Sequence, residues 1–359
     1  MSNFCYDRNR KAAAASPPQG IELGKLGMNP STQNNTNNNR PPDHPSVPSD
    51  ESKHNQPLDH PPVPSDESKR NPDKVPEKTF ANSNYKRFYI EGASAPFGHK
   101  LLNSVQETVT LVARRFNHKR DPDTVEDDVF FYMKKLQEDA FRHHKALKSD
   151  VNAAAEYLWT SAKKHPVVNN MEFCSILNAV IRADIAEEIQ AATPIFRSLN
   201  ALRVHRTDIG HSLTKQSHPD KSETWRGGGF RDECKAFFVM TKGTKKKKYR
   251  VPGFLATSES KTTASGFAYK AGRNHPCALW HFKFDRRGKT RFEYRVRHMS
   301  FVSNTLIPGE GEYLFSPYSV FTLLSVKWSS HPRTPHEFTI LPAIDNQDED
   351  ENLPLAPWY

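Results

Sequence analysis

The sequence has few cysteines and no long apolar run, and both absences exclude classes of protein. The four cysteines, Cys5, Cys174, Cys234 and Cys277, stand far apart, without the CxxC or Cys-His spacing that binds structural zinc. No run of 18 apolar residues occurs, and the N-terminal residues lack the apolar core of a signal peptide. We therefore expect no metal, no membrane span and an intracellular, cytoplasmic location in which cysteines stay reduced.

The first 80 residues contain little that could form a core. They hold 13 of the 27 prolines, and "DHPSVPSDESK" (43–53) returns sixteen residues later as "DHPPVPSDESK" (59–69). Because so polar a repeat cannot bury a face, we expect residues 1–80 to be a disordered leader. Residues 346–359 are acidic and then rich in proline, and are expected to be a tail outside the core. One folded domain, residues 81–345, remains.

The net charge of +10 comes from this predicted domain. Residues 1–80 hold ten basic and ten acidic residues, whereas residues 81–340 hold 41 Lys and Arg against 26 Asp and Glu. Such a surface attracts anionic ligands, among them nucleotides, acidic proteins and nucleic acids. The densest basic run, "KGTKKKKYR" (242–250), is more typical of a solvated hairpin tip than of a nucleic-acid patch, so nucleic acid is not the expected partner.

The residue pattern changes once along the domain. From Lys100 to about Arg203 apolar residues recur every three or four positions, which predicts helices, and Asp-Pro-Asp at 121–123 is a plausible helix start. After Thr224 one short helix, "ESKTTASGFAYKAG", interrupts a series of β-like runs: "AFFVMT", "CALWHFKF", "RFEYRVRH", "EYLFSPYSVFTLLSVKW" and "HEFTILPAI". This order predicts an α+β fold, with a helical half followed by a mixed, mostly antiparallel β core.

Three short segments in the β half carry polar residues that suit a nucleotide site. "TWRGGGF" (224–230) puts Arg226 at the end of a short strand before three glycines, where a guanidinium can bind phosphate and backbone can approach a ligand. "VPGFLATSES" (251–260) is a strand that ends in hydroxyls, and "IPGEGEYLF" (307–315) sets two glutamates at the mouth of a strand. Alone, each has a plain structural explanation: a flexible turn, a helix cap and a solvated surface turn.

In this order and spacing, the three segments resemble the arginine, Ser-Thr-Ser and Glu-x-Glu motifs of the mono-ADP-ribosyltransferases of the toxin and ecto-enzyme type. The resemblance covers roughly residues 165–345. It implies an ADP-ribosyltransferase type of β core, NAD as substrate without a metal, and transfer of ADP-ribose to an arginine of a target protein with release of nicotinamide. The poly-modifying branch has a histidine where Arg226 stands, so polymer synthesis is not implied.

The resemblance also implies roles for the residues that match the first two motifs. Arg226 matches the arginine that holds the NAD diphosphate and ribose side, and the backbone of Gly227 matches the position that binds the nicotinamide carboxamide. Thr257 and Ser258 match the second and third positions of the hydroxyl motif, which brace the site. Phe267, on the short helix, is placed like the aromatic that packs on nicotinamide, although it could equally belong to the core.

Glu312 matches the catalytic glutamate, and Glu310 the upstream glutamate that accompanies an arginine acceptor. The chemistry agrees, because cleavage of the bond between nicotinamide and ribose builds positive charge on the sugar, which a carboxylate stabilises. Side chains two residues apart in a strand share a face about 6.5 to 7 Å apart. Glu312 can therefore serve the ribose while Glu310 activates the incoming guanidinium.

One position departs from the motif, since Ala256 stands where the family has the first serine, whose hydroxyl helps orient the catalytic glutamate. Loss of a hydrogen bond to a charged group costs about 1.5 to 3 kcal/mol if nothing replaces it. Two alternatives therefore stay open. One is an NAD glycohydrolase or a weakened NAD-binding fold, and the other is a basic, non-enzymatic interaction module that uses residues 245–248.

Overall fold

The computed structural model describes eight ranges of residues: 78–92, 101–142, 151–201, 218–239, 246–271, 276–302, 311–331 and 334–357. Glu310, Lys245 and most of the predicted leader lie outside these ranges. None of the described helices is both long and apolar enough to cross a membrane.

The N-terminal half of the domain is helical, as predicted. A short π-helix, Lys86–Ile90, precedes five α-helices: α1 (Leu101–Phe116), α2 (Pro122–Arg142), α3 (Val151–Thr160), α4 (Phe173–Ala183) and α5 (Ala186–Ala201). Helix α2 begins at the predicted position, where the Asp121 carboxylate accepts a hydrogen bond from the Thr124 N–H at 3.0 Å and so caps the first turn. Helices α1 and α4 each bury an apolar stripe with the spacing that the sequence showed.

The C-terminal half forms one mixed sheet and a sixth longer helix, α6 (Lys261–Ala271). Its described strands are β1 (Glu223–Gly229), β2 (Lys247–Val251), β3 (Leu255–Ser258), β4 (Cys277–Lys283), β5 (Met299–Phe301), β6 (Glu312–Phe315), β7 (Ser319–Lys327) and β8 (His336–Pro342). Their order across the sheet is β2-β7-β8-β4-β1-β3-β6-β5, and only the β4–β8 pair among them is parallel. The predicted α+β class and mostly antiparallel β core are therefore confirmed.

Four local predictions were wrong. "AFFVMT" begins in a helical turn, Lys235–Phe238, that buries Phe238, and "RFEYRVRH" contains a 3-10 turn, Phe292–Tyr294, before β5. "EYLFSPYSVFTLLSVKW" is two strands, because Tyr318 adopts a positive φ of 58° and turns the chain between β6 and β7. Arg226 lies within β1 rather than at its end, and the following glycines pair with β4 as part of the strand.

Two apolar clusters form the core on opposite sides of the motif strands. One cluster joins the helices to Phe254 and Leu314, and Ala256 packs against it. The other consists largely of residues of the sheet, where Phe315 of β6 contacts Phe321 of β7 with ring centroids 5.1 Å apart. Successive residues of β3 and β6 therefore alternate between the cluster that contains the helices and the cluster formed by the sheet.

The predicted domain boundaries need correction at both ends. Phe80, which was assigned to the leader, packs against Tyr318 with ring centroids 5.2 Å apart.

The described part of the acidic tail, which was expected outside the core, lies against β2. Arg250 is 1% exposed and donates to the carbonyl oxygens of Glu349 at 2.9 Å and Asp350 at 3.1 Å. Ala356, which is 3% exposed, belongs to the sheet cluster. A buried arginine that needs acceptors thus brings a polar segment onto the fold.

Candidate active site

The three motif segments occupy three neighbouring strands. β1 carries Arg226, β3 carries the hydroxyl motif and β6 begins at Glu312, and the sheet order places them side by side as β1-β3-β6. The register pairs Ser258 with Trp225 on one side and with Glu312 on the other. Segments more than 80 residues apart in the chain therefore meet at one end of β3.

Glu312 is a buried carboxylate with one oxygen held and the other without a hydrogen-bond partner among the described residues. The side chain is 4% exposed, and its Oε1 accepts a hydrogen bond of 3.0 Å from the indole Nε1–H of Trp159. Oε2 is also buried and makes no hydrogen bond to the described residues. An ionised carboxylate is costly to bury with so few donors, which is typical of a functional group rather than of a stabilising one.

The donor to Glu312 comes from the helical half. Trp159 lies at the end of α3, is 3% exposed, and packs against Phe254 with ring centroids 5.3 Å apart. Sequence reasoning missed this residue, because a tryptophan in an apolar helix is typical of a core position. The only signal available was that a buried indole N–H generally needs an acceptor.

Gly311 shapes the entry to β6. It has a φ of +54°, a left-handed conformation that glycine adopts without steric cost, and its carbonyl accepts a hydrogen bond from the Glu259 N–H at 3.1 Å. The bend fixes where Glu312 enters the sheet directly after it. Glu310, the predicted acceptor-activating residue, lies outside the described residues.

Arg226 crosses a gap between two strands. In their described registers, β1 and β3 pair only through Trp225 and Ser258, so the strands separate beyond that point. The Nη1 of Arg226 donates to the Ala256 carbonyl at 2.7 Å, and the side chain is half-buried. The guanidinium is thus held against β3 at the place where the two strands part.

Gly227 is explained by the packing of α6. A Cβ atom at this position would lie 1.7 Å from the Ala264 carbonyl oxygen and 2.6 Å from the Ala268 nitrogen, so no other residue fits without moving the helix. Phe267 is half-buried on the same helix, and the Lys270 ammonium lies 5.6 Å from its ring centroid. The helix that was expected to carry a nicotinamide-packing aromatic therefore lies directly over β1.

The hydroxyl motif is divided between the two faces of β3. Ser258 pairs with Glu312, so the two share a face, and Ala256 lies on that face two residue pairs further along, opposite Leu314. Thr257 points the other way, and its Oγ1 donates to the Tyr313 carbonyl at 3.3 Å. Ser258 is buried and its Oγ accepts from the Ser260 N–H at 3.0 Å, which caps the turn into α6. The structure thus brings Ser258, Ala256 and Glu312 together and keeps Thr257 apart.

An aromatic pair lies beside this face. The rings of Trp225 and His281 are stacked with centroids 3.8 Å apart, and the Lys261 ammonium lies 4.6 Å from the Trp225 ring. Burial lowers the pKa of His281, an effect that its hydrogen bond to Glu223 opposes. No local pattern in the sequence indicated this pair, since its members lie 56 residues apart.

The described residues contain no group of three or more His, Cys, Asp or Glu side chains that could hold a metal ion. Part of the basic run is engaged in contacts within the fold. Lys247 lies in β2, where its ammonium is 3.7 Å from the Phe237 ring centroid and bonds the Phe237 carbonyl. Lys248 forms a salt bridge of 2.7 Å with Glu349. These contacts leave fewer free cations for a basic interaction module.

No protein-family model and no curated protein matches the chain. Among solved structures it is similar to the ADP-ribosyltransferase Vis from Vibrio splendidus, at 14% identity and a TM-score of 0.37 over 68% of this chain and 90% of Vis. It is similar to the ADP-ribosyltransferase HopU1 of Pseudomonas syringae, at 15% identity and a TM-score of 0.38 over 70% of this chain and 100% of HopU1.

Exoenzyme S from Pseudomonas aeruginosa, in complex with human 14-3-3 protein beta and bound to Carba-NAD, is a third similar structure. The identity is 14% and the TM-score 0.33, over 66% of this chain and 88% of the exoenzyme. At such identities and TM-scores, the similarity assigns neither an activity nor the role of a residue. Of the three, Vis and HopU1 are ADP-ribosyltransferases.

Proposed function

We propose that this chain is an NAD-dependent mono-ADP-ribosyltransferase that modifies arginine side chains of a target protein. The observation that carries the proposal is the state of Glu312, a buried carboxylate with one oxygen fixed by Trp159 and the other unpaired among the described residues. It lies on the strand next to the hydroxyl motif, which is itself next to the strand of Arg226. The adjacency in the sheet of three segments that lie far apart in the sequence supports a common site.

The proposed reaction uses Glu312 to stabilise charge. The bond between the ribose C1′ and the nicotinamide nitrogen breaks, its electron pair leaves with nicotinamide, and the sugar gains oxocarbenium character. A fixed anionic oxygen in a site with little water stabilises that charge strongly, since it need not reorganise during the reaction. Oε2 of Glu312 has this character, because it is buried and accepts a hydrogen bond from none of the described residues.

Arg226 is proposed to hold the diphosphate of NAD. Its guanidinium is anchored through Nη1 to the Ala256 carbonyl at the gap between β1 and β3, and its planar set of donors suits phosphate oxygens. The basic domain, with 41 Lys and Arg against 26 Asp and Glu in residues 81–340, raises the local concentration of an anionic dinucleotide. Ser258, on the face of Glu312, is proposed to brace the site, and Gly227 and Phe267 to line its nicotinamide end.

The arginine acceptor is proposed from the Glu-x-Glu sequence. A guanidinium becomes a nucleophile only when its proton is accepted, and an anionic Glu310 would both attract it and take that proton. The nitrogen then bonds to C1′ and loses its proton to the carboxylate. Water can attack the same oxocarbenium ion, so an NAD glycohydrolase is the alternative that the missing hydroxyl at Ala256 favours.

The experiment incubates the purified full chain with NAD labelled in its adenylate part, with and without agmatine, a small guanidine. ADP-ribosyl-agmatine supports the transferase, free ADP-ribose alone supports the hydrolase, and the absence of both products contradicts an NAD-cleaving function. Glu312→Gln should lower both products at least about a hundredfold, because it removes the charge and keeps the shape. Glu337→Gln, at an exposed glutamate of β8, is the matched control and should leave both unchanged.

Glu310→Gln separates the two halves of the reaction in the same assay. It should abolish transfer to agmatine and leave much of the NAD hydrolysis, since water needs no activated guanidinium. Equal loss of the two products would contradict the assignment of Glu310 to the acceptor.

A further inference from the structure

We infer that Trp159 is the positioning residue for Glu312, and that its indole does the work of the hydroxyl that Ala256 lacks. The inference rests on the proposed function, since it concerns how the carboxylate of that site is oriented. It assigns a role in the site to the helical half of the domain, which none of the three motifs includes.

The hydrogen bond between the two residues has the geometry of an orienting contact. Trp159 Nε1 lies 3.0 Å from Glu312 Oε1, and the exposed fractions of the two side chains are 3% and 4%. An indole N–H can only donate, so this bond has a fixed direction and always engages the carboxylate as acceptor. Because it engages Oε1 alone, it fixes the plane of the carboxylate and leaves Oε2 for the reacting sugar.

The indole itself is held rigidly. Its ring packs against Phe254, whose ring packs in turn against Phe196 of α5 with centroids 5.9 Å apart. The Phe254 N–H donates to the Asn178 side chain of α4 at 2.7 Å, so the support extends into a third helix. A donor whose own position is set by packing restricts its acceptor more than a rotating hydroxyl does.

Stability alone does not account for this pair. A buried tryptophan N–H needs an acceptor, but a backbone carbonyl or a neutral side chain would satisfy it without burying an ionised group. Burial of a carboxylate costs much free energy when the described residues offer it a single hydrogen-bond donor and no salt bridge. The arrangement is explained if the carboxylate is required by the reaction and the indole is required by the carboxylate.

The position of Ala256 connects the indole to the missing serine. Ala256 lies on the face of Glu312, displaced by two residue pairs along the β3–β6 ladder. It packs against the cluster of helical residues that contains Trp159. A hydroxyl at this position and the indole N–H would therefore approach Glu312 in the same region, so either donor can orient the carboxylate.

The test is Trp159→Phe, which removes the donor and keeps an aromatic ring. We expect kcat for NAD cleavage to fall about tenfold or more while the KM for NAD changes little, because Trp159 acts on Glu312 and not on the dinucleotide. Adding Ala256→Ser to Trp159→Phe should recover much of kcat, whereas Ala256→Ser alone should have a smaller effect. Unchanged kcat in Trp159→Phe, or no recovery in the double variant, would overturn the inference.

Phe254→Leu is the matched control, since it loosens the packing around the indole without removing the N–H. It should lower Tm and, because a less rigidly held indole still donates, lower kcat less than Trp159→Phe does; an equal fall in kcat would contradict the assignment of the effect to the N–H. If Trp159→Phe does not fold, Trp159→Met replaces it with a flexible apolar side chain that also lacks a donor, under the same expectations. Glu312→Gln distinguishes a failure of the proposed function from a failure of the inference. If Glu312→Gln cleaves NAD normally, the proposed function fails. If Glu312→Gln is inactive and Trp159→Phe cleaves NAD normally, only the inference about Trp159 fails.

Discussion

Gly227 and Gly228 are adjacent in β1 and have opposite surroundings. A Cβ on Gly227 would meet backbone atoms of α6 as close as 1.7 Å, whereas a Cβ on Gly228 would meet nothing within 4 Å. The sequence suggested one reason for all three glycines, the approach of a ligand to the backbone. The structure gives Gly227 a packing reason as well, because α6 lies on the strand at that residue.

Gly227→Ala should destabilise the protein by several kcal/mol, since the clash is with helix backbone, which cannot move aside as a side chain can. Gly228→Ala is the matched control and should be neutral or stabilise slightly, because the methyl group enters open space and the unfolded chain loses freedom. Chemical denaturation of both variants measures the difference. A stable Gly227→Ala would contradict the described contact between α6 and β1.

At the scale of elements, the edge strand β2 and the chain after residue 345 form one unit. Arg250 of β2 donates to the carbonyl oxygens of Glu349 and Asp350 in that segment and to that of Tyr318, at 3.0 Å, before β7. Its guanidinium also lies 4.7 Å from the Phe80 ring centroid. Burial lowers the pKa of Arg250, and the nearby acidic side chains oppose that shift. One side chain thus joins segments from both ends of the described domain.

Arg250→Met should lower the free energy of unfolding by at least about 2 kcal/mol, because several buried carbonyl oxygens lose their donor at once. Lys248→Met removes a more exposed salt bridge to Glu349 on the same strand and should cost less than about 1 kcal/mol. Thermal unfolding compares the two. Equal losses of stability in the two variants would mean that the segment after residue 345 is held by its charge and not by the buried hydrogen bonds of Arg250.

At the scale of the whole molecule, the folded domain includes residues 78–92, although the sequence predicted that it begins at residue 81. The N–H groups of Asn84 and Tyr85 donate to the Asp184 carboxylate at 3.1 and 3.2 Å, beyond the end of α4. Tyr85 is 2% exposed and its ring lies against Tyr89, Phe196 and Tyr318. This segment therefore connects the helical layer to the turn between β6 and β7.

A chain that begins at residue 78 should keep its NAD-dependent activity and a Tm within about 2 °C of the full chain, as expected if the polar leader adds little to the core. A chain that begins at residue 93 should lose several degrees, since it lacks Tyr85 and leaves the Asp184 carboxylate without its two backbone donors. Calorimetry and the NAD assay compare the two truncations. A loss of stability in the longer one would show that residues before 78 contribute to the fold.

Much of the architecture could be predicted because it depends on local patterns. Apolar residues every three or four positions indicated the helical half, and aromatic and β-branched runs indicated most of the strands. The errors fell where the pattern was ambiguous. "AFFVMT" is as apolar as a strand but begins in a helical turn, and one long run hid the turn at Tyr318, whose positive φ is uncommon outside glycine and asparagine.

The sequence by itself determined the order of the elements and the residues able to do chemistry, because side-chain type and local periodicity are properties of short segments. It presented Arg226, Ser258 and Glu312 as candidates and located the departure at Ala256. Only the tertiary structure decided what these residues contact: that Trp159, 153 residues earlier, donates to Glu312, that Thr257 faces away, and that Arg250 draws an acidic segment onto the sheet. Such contacts depend on how distant segments pack, and a buried polar group accepts whichever partner the packing brings to it.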